Sequence, residues 1–234
     1  MLSAAVLAGG LATRIRPLTT TTPKSLLPIN GKPFIAHQLQ LLRANGIEHV
    51  VLCVGFLGEM IKEAVGDGSA FGLHVEYSFD GERMKGTAGA IKRALAKLGE
   101  AFFVLYGDSY LPCDYAAVAA KFTAATKLAL MTVFRNSDMW DVSNVEFEDG
   151  KVIAYDKRRR SSRMQYIDYG LGVFSAAAFA AVPGDRPSDL ADLYSDLLAR
   201  GEVIGFEVLE RFYEVGSIKG LHDTAEYLAR GGDR

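Results

Sequence analysis

A chain of 234 residues, 49% apolar and 23% charged, has the size and balance of one large α/β domain, which excludes a disordered or membrane class. Its 26 basic against 28 acidic residues leave a net charge of −2, with no long-range pull toward nucleic acid, and no apolar run approaches the roughly 20 residues of a transmembrane helix. Only two cysteines occur, Cys53 in an apolar run and Cys113 after Pro112, without the close spacing of a zinc or redox pair, so reduced thiols and a cytoplasmic setting are expected.

Ser3 to Leu7 reads as a buried first strand: the run is apolar, lacks a basic n-region, and stops at Gly9-Gly10, where backbone can approach a partner closely. The loop that follows carries Arg14, Arg16, Lys24 and Lys32 among the hydroxyls of Thr13 and Thr19 to Thr22. Cations and donors beside a strand's C-terminal end, where open α/β sheets place ligands, predict a polyanionic guest. A solvated surface loop would be the plain reading of a lone Gly-Gly pair. A Walker P-loop is disfavoured, because Lys24-Ser25 follows Pro23 and no glycine stands before the lysine.

A helix period over residues 34 to 45 closes at Asn45-Gly46, with His37 as a packing residue. Val50 to Val54 reads as a second buried strand, Glu59 to Val65 as a short amphipathic helix, and Val75 to Phe79 as a third strand. The segment Lys85-Gly86-Thr87-Ala88-Gly89-Ala90-Ile91 opens a helix reaching Leu98, and its glycines suit either close ligand approach or close packing on the sheet. The apolar strand Ala101 to Tyr106 then delivers Gly107-Asp108-Ser109 at the ligand edge, where Asp108 is the best-placed metal ligand or else a helix cap.

Residues 114 to 125 read as a helix and Leu128 to Phe134 as a strand. Asp149-Gly150 between Val145–Phe147 and Val152–Tyr155 marks a hairpin. The basic run Lys157 to Arg160 is brief and stands in a net-acidic chain, so it reads as a solvated loop rather than a nucleic-acid patch. Leu190 to Leu198 and Ile218 to Leu228 complete the helices.

The stretch from Leu7 to Pro33 resembles the N-terminal signature of the sugar-phosphate nucleotidylyltransferases: Leu-Ala-Gly-Gly-x-Gly-Thr-Arg-x-x-Pro-Leu-Thr, then Pro-Lys-x-Leu-x-Pro-x-x-Gly-Lys-Pro. Ala12 stands where the family usually has its third glycine. The resemblance covers practically the whole chain. It implies a Rossmann-like three-layer α/β/α sandwich with a mostly parallel mixed sheet. It also implies a single nucleotidyltransferase domain over residues 1–234, with a nucleotide-binding half at 1–110 and a sugar-phosphate half at 111–234. No hexapeptide repeats follow Leu228, so no β-helix domain is expected.

For the site, the resemblance implies Arg14, Lys24 and Asp108 as catalytic residues, and Leu7, Gly9, Gly10, Thr13, Gly86 and Thr87 at the nucleotide. It implies Asn144, Lys157, Asp168 and Gly170 at the sugar phosphate, with Mg²⁺ held by Asp108 and Glu214. The departures are Asn144 where many relatives carry a glycine, Asp156 in the family's Glu-Lys pair with Arg158 for the proline that often follows, Asp168-Tyr169-Gly170 in place of Asn-Ala-Gly, and Glu214 and Ser217 in the closing Trp-x-Asp-x-Gly-Thr. The implied reaction joins an NTP and a sugar 1-phosphate into an NDP-sugar and pyrophosphate.

The short form and the Gly-Thr-Ala-Gly-Ala segment resemble guanylyltransferases acting on mannose or heptose 1-phosphate, which favours GTP. Uridylyl, cytidylyl or thymidylyl transfer to another sugar 1-phosphate is the alternative, as is a non-catalytic, nucleotide-sugar-binding regulatory paralogue. A metal-dependent glycosyltransferase is disfavoured, since Asp108-Ser109-Tyr110 is not Asp-x-Asp. No nucleic-acid or membrane partner is expected, and a homo-oligomer is a prior carried from small family members.

Overall fold

In a computed structural model, which describes residues 1–10, 15, 17–81 and 83–231, nine strands form one mixed sheet. In chain order the elements are β1 (Ser3–Leu7), β2 (Pro28–Ile29), β3 (Lys32–Pro33), α1 (Phe34–Ala44), β4 (His49–Val54), α2 (Gly58–Val65), β5 (His74–Phe79) and α3 (Gly86–Ala94). Then come β6 (Ala101–Tyr106), β7 (Ser109–Tyr110), α4 (Tyr115–Thr123), β8 (Ala129–Arg135), β9 (Val145–Glu148), β10 (Lys151–Tyr155) and β11 (Tyr166–Ser175). The chain closes with α5 (Leu190–Ala199), β12 (Val203–Val208), β13 (Tyr213–Glu214) and α6 (Ile218–Ala229).

The sheet runs β10-β9-β11-β6-β1-β4-β5, with β8 pairing β11 and β12 pairing β8. Strands β5, β4, β1 and β6 are mutually parallel, whereas β11 is antiparallel to β6, β8 and β9. Strand alternation explains the layers, because successive side chains leave on opposite faces. Ala4, Val6, Val50 and Leu52 join Ile35, Leu39, Ile61 and Val118, from α1, α2 and α4, in one core cluster. Ala5, Val51 and Cys53 join Ile91, Leu193 and Leu197, from α3 and α5, in another. Both faces are therefore covered, as the resemblance implied.

Two sheet strands escaped the sequence reading. Strand β11 carries two glycines and an aspartate that look like turn chemistry, yet it is a central strand whose register against β8 shifts between Asp168 and Gly172. Such a bulge bends a strand and re-aims its side chains. Strand β12 is interrupted by Gly205. The helix expected to reach Leu98 is α-helical only to Ala94 and continues as a 3₁₀ turn over Leu95–Lys97. The hairpin is as read: Asp149 and Gly150 both take positive φ, at 48° and 76°, as a tight two-residue turn requires.

Both cysteines are free thiols, and burial, the largest cause for each, pushes Cys53 and Cys113 up to about 12. Since the thiolate is the reactive form, iodoacetamide at about pH 8 should leave both unlabelled in the native chain and label both in denaturant. Mass spectrometry reads the result; native labelling of either would contradict this burial.

Candidate active site

Four parallel strands end at one edge of the sheet, and the loops leaving them build a first cleft. It is lined by Leu7, Ala8, Gly9 and Gly10 after β1, by Asp80 after β5, by Gly86 and Thr87 at the start of α3, and by Tyr106 to Asp108 after β6. The β1 and β6 loops touch through backbone: the Gly107 N–H donates to the Leu7 carbonyl at 2.9 Å, and a Cβ on Gly107 would lie 2.9 Å from that of Ala8. Only glycine allows this approach, which sets the paired glycines beside Asp108.

A second cleft opens on the far side of β6. It is lined by Trp140 and Asn144, by Lys157 and Arg160, by Asp168 and Gly170 on the β11 bulge, and by Phe212, Glu214 and Ser217. Tyr106 and Asp108 belong to both clefts. The chain thus has two adjoining chambers with one shared wall.

At that wall Lys24 Nζ lies 2.7 Å from Asp108 Oδ2. Lys24 comes from a 3₁₀ turn over Lys24–Leu26 that follows extended Pro23, and the Phe34 N–H donates to the Leu27 carbonyl, tying this loop to α1. The Asp108 end of β6 is held from behind by Gln38, a buried residue of α1 whose Nε2 donates to the carbonyls of Tyr106 and Ser109, both at 2.8 Å. It is held in front by the Val215 N–H, which donates to the Asp108 carbonyl at 2.9 Å.

In the second cleft Asp168 is the organising acid. Its Oδ2 accepts from the Tyr155 hydroxyl at 3.2 Å and lies 3.8 Å from Lys157 Nζ, while Oδ1 accepts from the Gly170 N–H at 3.1 Å. Asn144 fixes the same residue, its Oδ1 accepting from the Asp168 N–H at 2.9 Å. Burial acts to lower the Lys157 ammonium, but Asp168 and then Tyr106 raise it further, so it stays above its ordinary value. The Tyr106 phenol, pushed up to about 12 mainly by burial, stays protonated. Lys157 is therefore a fixed cation whose Nζ lies 5.4 Å from the centre of the Tyr106 ring.

The rim of this cleft is a loop over 136–144. Asn136 Nδ2 donates to the Asp141 carbonyl at 2.6 Å, the Ser143 N–H donates to Asp138 Oδ1 at 2.8 Å, and Arg160 pairs with Asp138. The Ser143 N–H, and then Arg160, hold the Asp138 carboxyl below its ordinary value. Trp140 packs under the Arg211 guanidinium, 3.4 Å from the ring centre, and Arg211 pairs with Asp223 of α6 at 2.5 Å.

Of the residues expected at the nucleotide, Leu7, Gly9, Gly10, Gly86 and Thr87 line the first cleft with Lys24 and Asp108. Arg14 and Thr13 lie outside the described residues. The Thr87 hydroxyl has a structural task the sequence did not announce: it donates to Asp189 Oδ1 at 3.1 Å and accepts from the Leu190 N–H at 2.7 Å, joining α3 to the start of α5. Asn144, Lys157, Asp168, Gly170 and Glu214 all line the second cleft. Glu214 also closes its own turn, accepting from the Gly216 N–H and, at 2.5 Å, from the Ser217 hydroxyl. The shortened acid Asp156 serves a turn too, its Oδ1 accepting from the N–H groups of Arg158 and Arg159 at 2.7 and 2.9 Å.

Sequence reasoning missed Asp80, Tyr106, Trp140 and Arg160. Asp80 stands after β5 as Asp108 stands after β6, so the strand-end rule would have found it. Its carboxyl is raised by burial, against an N–H bond from Lys85. Trp140 is the chain's only tryptophan and sits in a polar loop, a signal that was available.

The profile described as Nucleotidyl transferase matches residues 3–230. The chain belongs to that nucleotidyl transferase family. Among curated relatives, mannose-1-phosphate guanylyltransferase of Mycobacterium tuberculosis is 30% identical over 233 residues, covering 97% of this chain and 65% of its own length. N-acetylmuramate alpha-1-phosphate uridylyltransferase of Neisseria meningitidis is 42% identical over 117 residues, covering 50% of this chain and 51% of its own length. The chain thus spans between half and two thirds of these two relatives. A Bacillus anthracis structure in complex with a sucrose superposes with a TM-score of 0.86 at 22% identity, over 99% of this chain and 96% of that one, which establishes the shared nucleotidyl transferase fold.

Proposed function

We propose that this chain is a sugar 1-phosphate nucleotidylyltransferase, with the NTP in the first cleft and the sugar 1-phosphate in the second. The observation that supports the reading is the shared wall of Tyr106 and Asp108, across which two guests would meet beside Lys24 and Lys157. A sugar phosphate is already an anion and needs no strong base; the barrier lies in aligning two polyanions in line. An oxygen of the sugar phosphate bonds to the α-phosphorus as the bond to pyrophosphate breaks. Lys24, with Arg14 from the signature, stabilises charge developing on the α-phosphate and leaving group, while Lys157 holds the incoming phosphate.

Magnesium fits this chemistry. Asp108 presents a part-exposed carboxylate whose Oδ1 has, among the described residues, a single hydrogen-bond contact, from the Ser109 hydroxyl at 3.4 Å, and hard oxygen donors suit Mg²⁺. Asp108 and Glu214 would hold the ion, which when bound supplies positive charge to phosphate oxygens. Glu214 keeps acceptor capacity beyond its two turn bonds, since a carboxylate has about four lone-pair sites.

GTP with a mannose- or heptose-type 1-phosphate is the nucleotide pairing we favour, supported by guanylyltransferases among the relatives. UTP is the second reading, because the 42% identical segment belongs to a uridylyltransferase. Pyrophosphate release with Mg²⁺, measured across GTP, UTP, CTP, ATP and dTTP against hexose, N-acetylated and heptose 1-phosphates, tests both. GTP is expected to give the highest kcat/KM. A UTP optimum transfers the assignment to the second reading, and NTP binding without release from any pair favours a regulatory paralogue.

A further inference from the structure

The opposite edge of the sheet carries a group of metal-ligating side chains that plays no part in the reaction above. His49 and His74 open the neighbouring parallel strands β4 and β5 and are direct partners in their register. Glu76 lies two residues beyond His74, so strand alternation puts all three on one face. Their ligand atoms lie within 4.8 Å of one another. The imidazole rings stack with centroids 5.2 Å apart, and His49 Nε2 is 3.0 Å from Glu76 Oε2.

We propose that His49, His74 and Glu76 form a second metal site, for a borderline divalent cation such as Zn²⁺ and distinct from the Mg²⁺ position at Asp108. Two imidazoles and one carboxylate make a three-ligand set that Zn²⁺ accepts and Mg²⁺ does not favour. Ligands on one zinc stand roughly 3–3.5 Å apart, given bonds of about 2.0–2.2 Å, so the ring stack must close by about an ångström. The side chains can move: His74 is exposed and His49 and Glu76 are partly so.

The remaining Glu76 oxygen is already engaged. Lys97, in the 3₁₀ turn after α3, places Nζ 2.6 Å from Oε1 and fixes the carboxylate with Oε2 toward His49. This outer partner orients a ligand as metal sites require. The Lys97 bond, and then His49, hold Glu76 below its ordinary value, so it is an anion at neutral pH. A metal ion would take the place of the His49 Nε2–Glu76 Oε2 hydrogen bond, any proton held there passing to solvent, as metal binding to such ligands releases protons. A surface cleft lined by Met1, Ser3, Gly46, Glu48, His49 and Glu100 runs beside the site and offers a route from solvent. A bound ion would pin the edge strand β5 to β4.

Isothermal titration of the full chain with ZnCl₂, in excess Mg²⁺ so that oxygen-rich positions are occupied, tests this directly. One equivalent should bind, and His74→Ala and Glu76→Gln should each weaken it at least about tenfold, since outer-shell losses alone commonly cost that much. Thermal melts should show a Zn²⁺-dependent rise in Tm in the wild type that both variants lose, while pyrophosphate release without Zn²⁺ stays unchanged in both. Absence of Zn²⁺ binding by the wild type, or equal affinity in wild type and both folded variants, would overturn the site. Neither result bears on the nucleotidylyltransferase reading.

Discussion

Replacing Asp108 by asparagine should lower turnover by at least about 10² while leaving the fold intact, and Lys24→Ala should do the same. A preorganised group aimed at developing charge is typically worth 10²–10³ in rate. Both side chains are only partly exposed, at 15% for Lys24 and 28% for Asp108, and neither belongs to a core cluster. Circular dichroism and melting should therefore remain close to wild type while pyrophosphate release collapses. The two groups are in contact, so their losses should not add: groups this close couple by about 0.5–3 kcal/mol. The double variant should accordingly be less impaired than the product of the single effects. Near-normal turnover in both single variants would remove the shared wall from the mechanism.

Gly86→Ala should show the largest loss of stability. Gly86 has φ +71°, a conformation that side chains rarely adopt, and an added Cβ would stand 2.5 Å from the Ser188 carbonyl oxygen and 2.9 Å from its nitrogen. Those neighbours are backbone, held by the Ser188 N–H donating to Lys85 and by the Ala88 N–H donating to Ser188, both at 2.9 Å. Neither partner can rotate away. Backbone strain of this kind costs about 1–3 kcal/mol and overpacking adds a similar amount. We expect a loss of about 2–4 kcal/mol, or a Tm lower by roughly 5–15 °C, measured by calorimetry. The KM for NTP should rise as well, because Gly86 lines the first cleft. A Tm within about 2 °C of wild type would contradict the strain argument, as 1 kcal/mol already moves a chain of this length by roughly 2–4 °C.

The first half of the fold was legible because its signals are local. Strands β1, β4 and β6 are apolar runs bounded by glycine or polar loops, and α1 and α2 carry a clear helical period. Asp108 and the paired glycines were legible by position, at strand ends facing the ligand edge. Strand β11 was not, because its glycines, Asp168 and the bulge obey the demands of its neighbours and the cleft rather than a two-residue period. The turn roles of Glu214 and Asp156, and the helix-joining role of Thr87, depend on which backbone N–H groups arrive nearby, and no spacing in the chain encodes that. Lys157 was expected from the resemblance, yet its support by Tyr106 and Asp168 joins residues distant in sequence. Arg14 and Thr13 rest on the signature alone.

The two clefts draw on almost separate stretches of chain. Both are lined by Tyr106 and Asp108; the first otherwise uses residues 7–10, 24, 25, 53, 80, 84, 86, 87, 90 and 107, and the second 109, 140–144, 156, 157, 160, 167–170, 212, 214 and 217. On the proposed function, the choice of base and the choice of sugar would therefore lie in different segments apart from Tyr106 and Asp108. Such a division would make the two specificities separable in inheritance: recombination or drift confined to 140–170 would retune the acceptor while the proposed nucleotide chamber passed unchanged to the descendant. A family built on this plan can diversify its products one partner at a time.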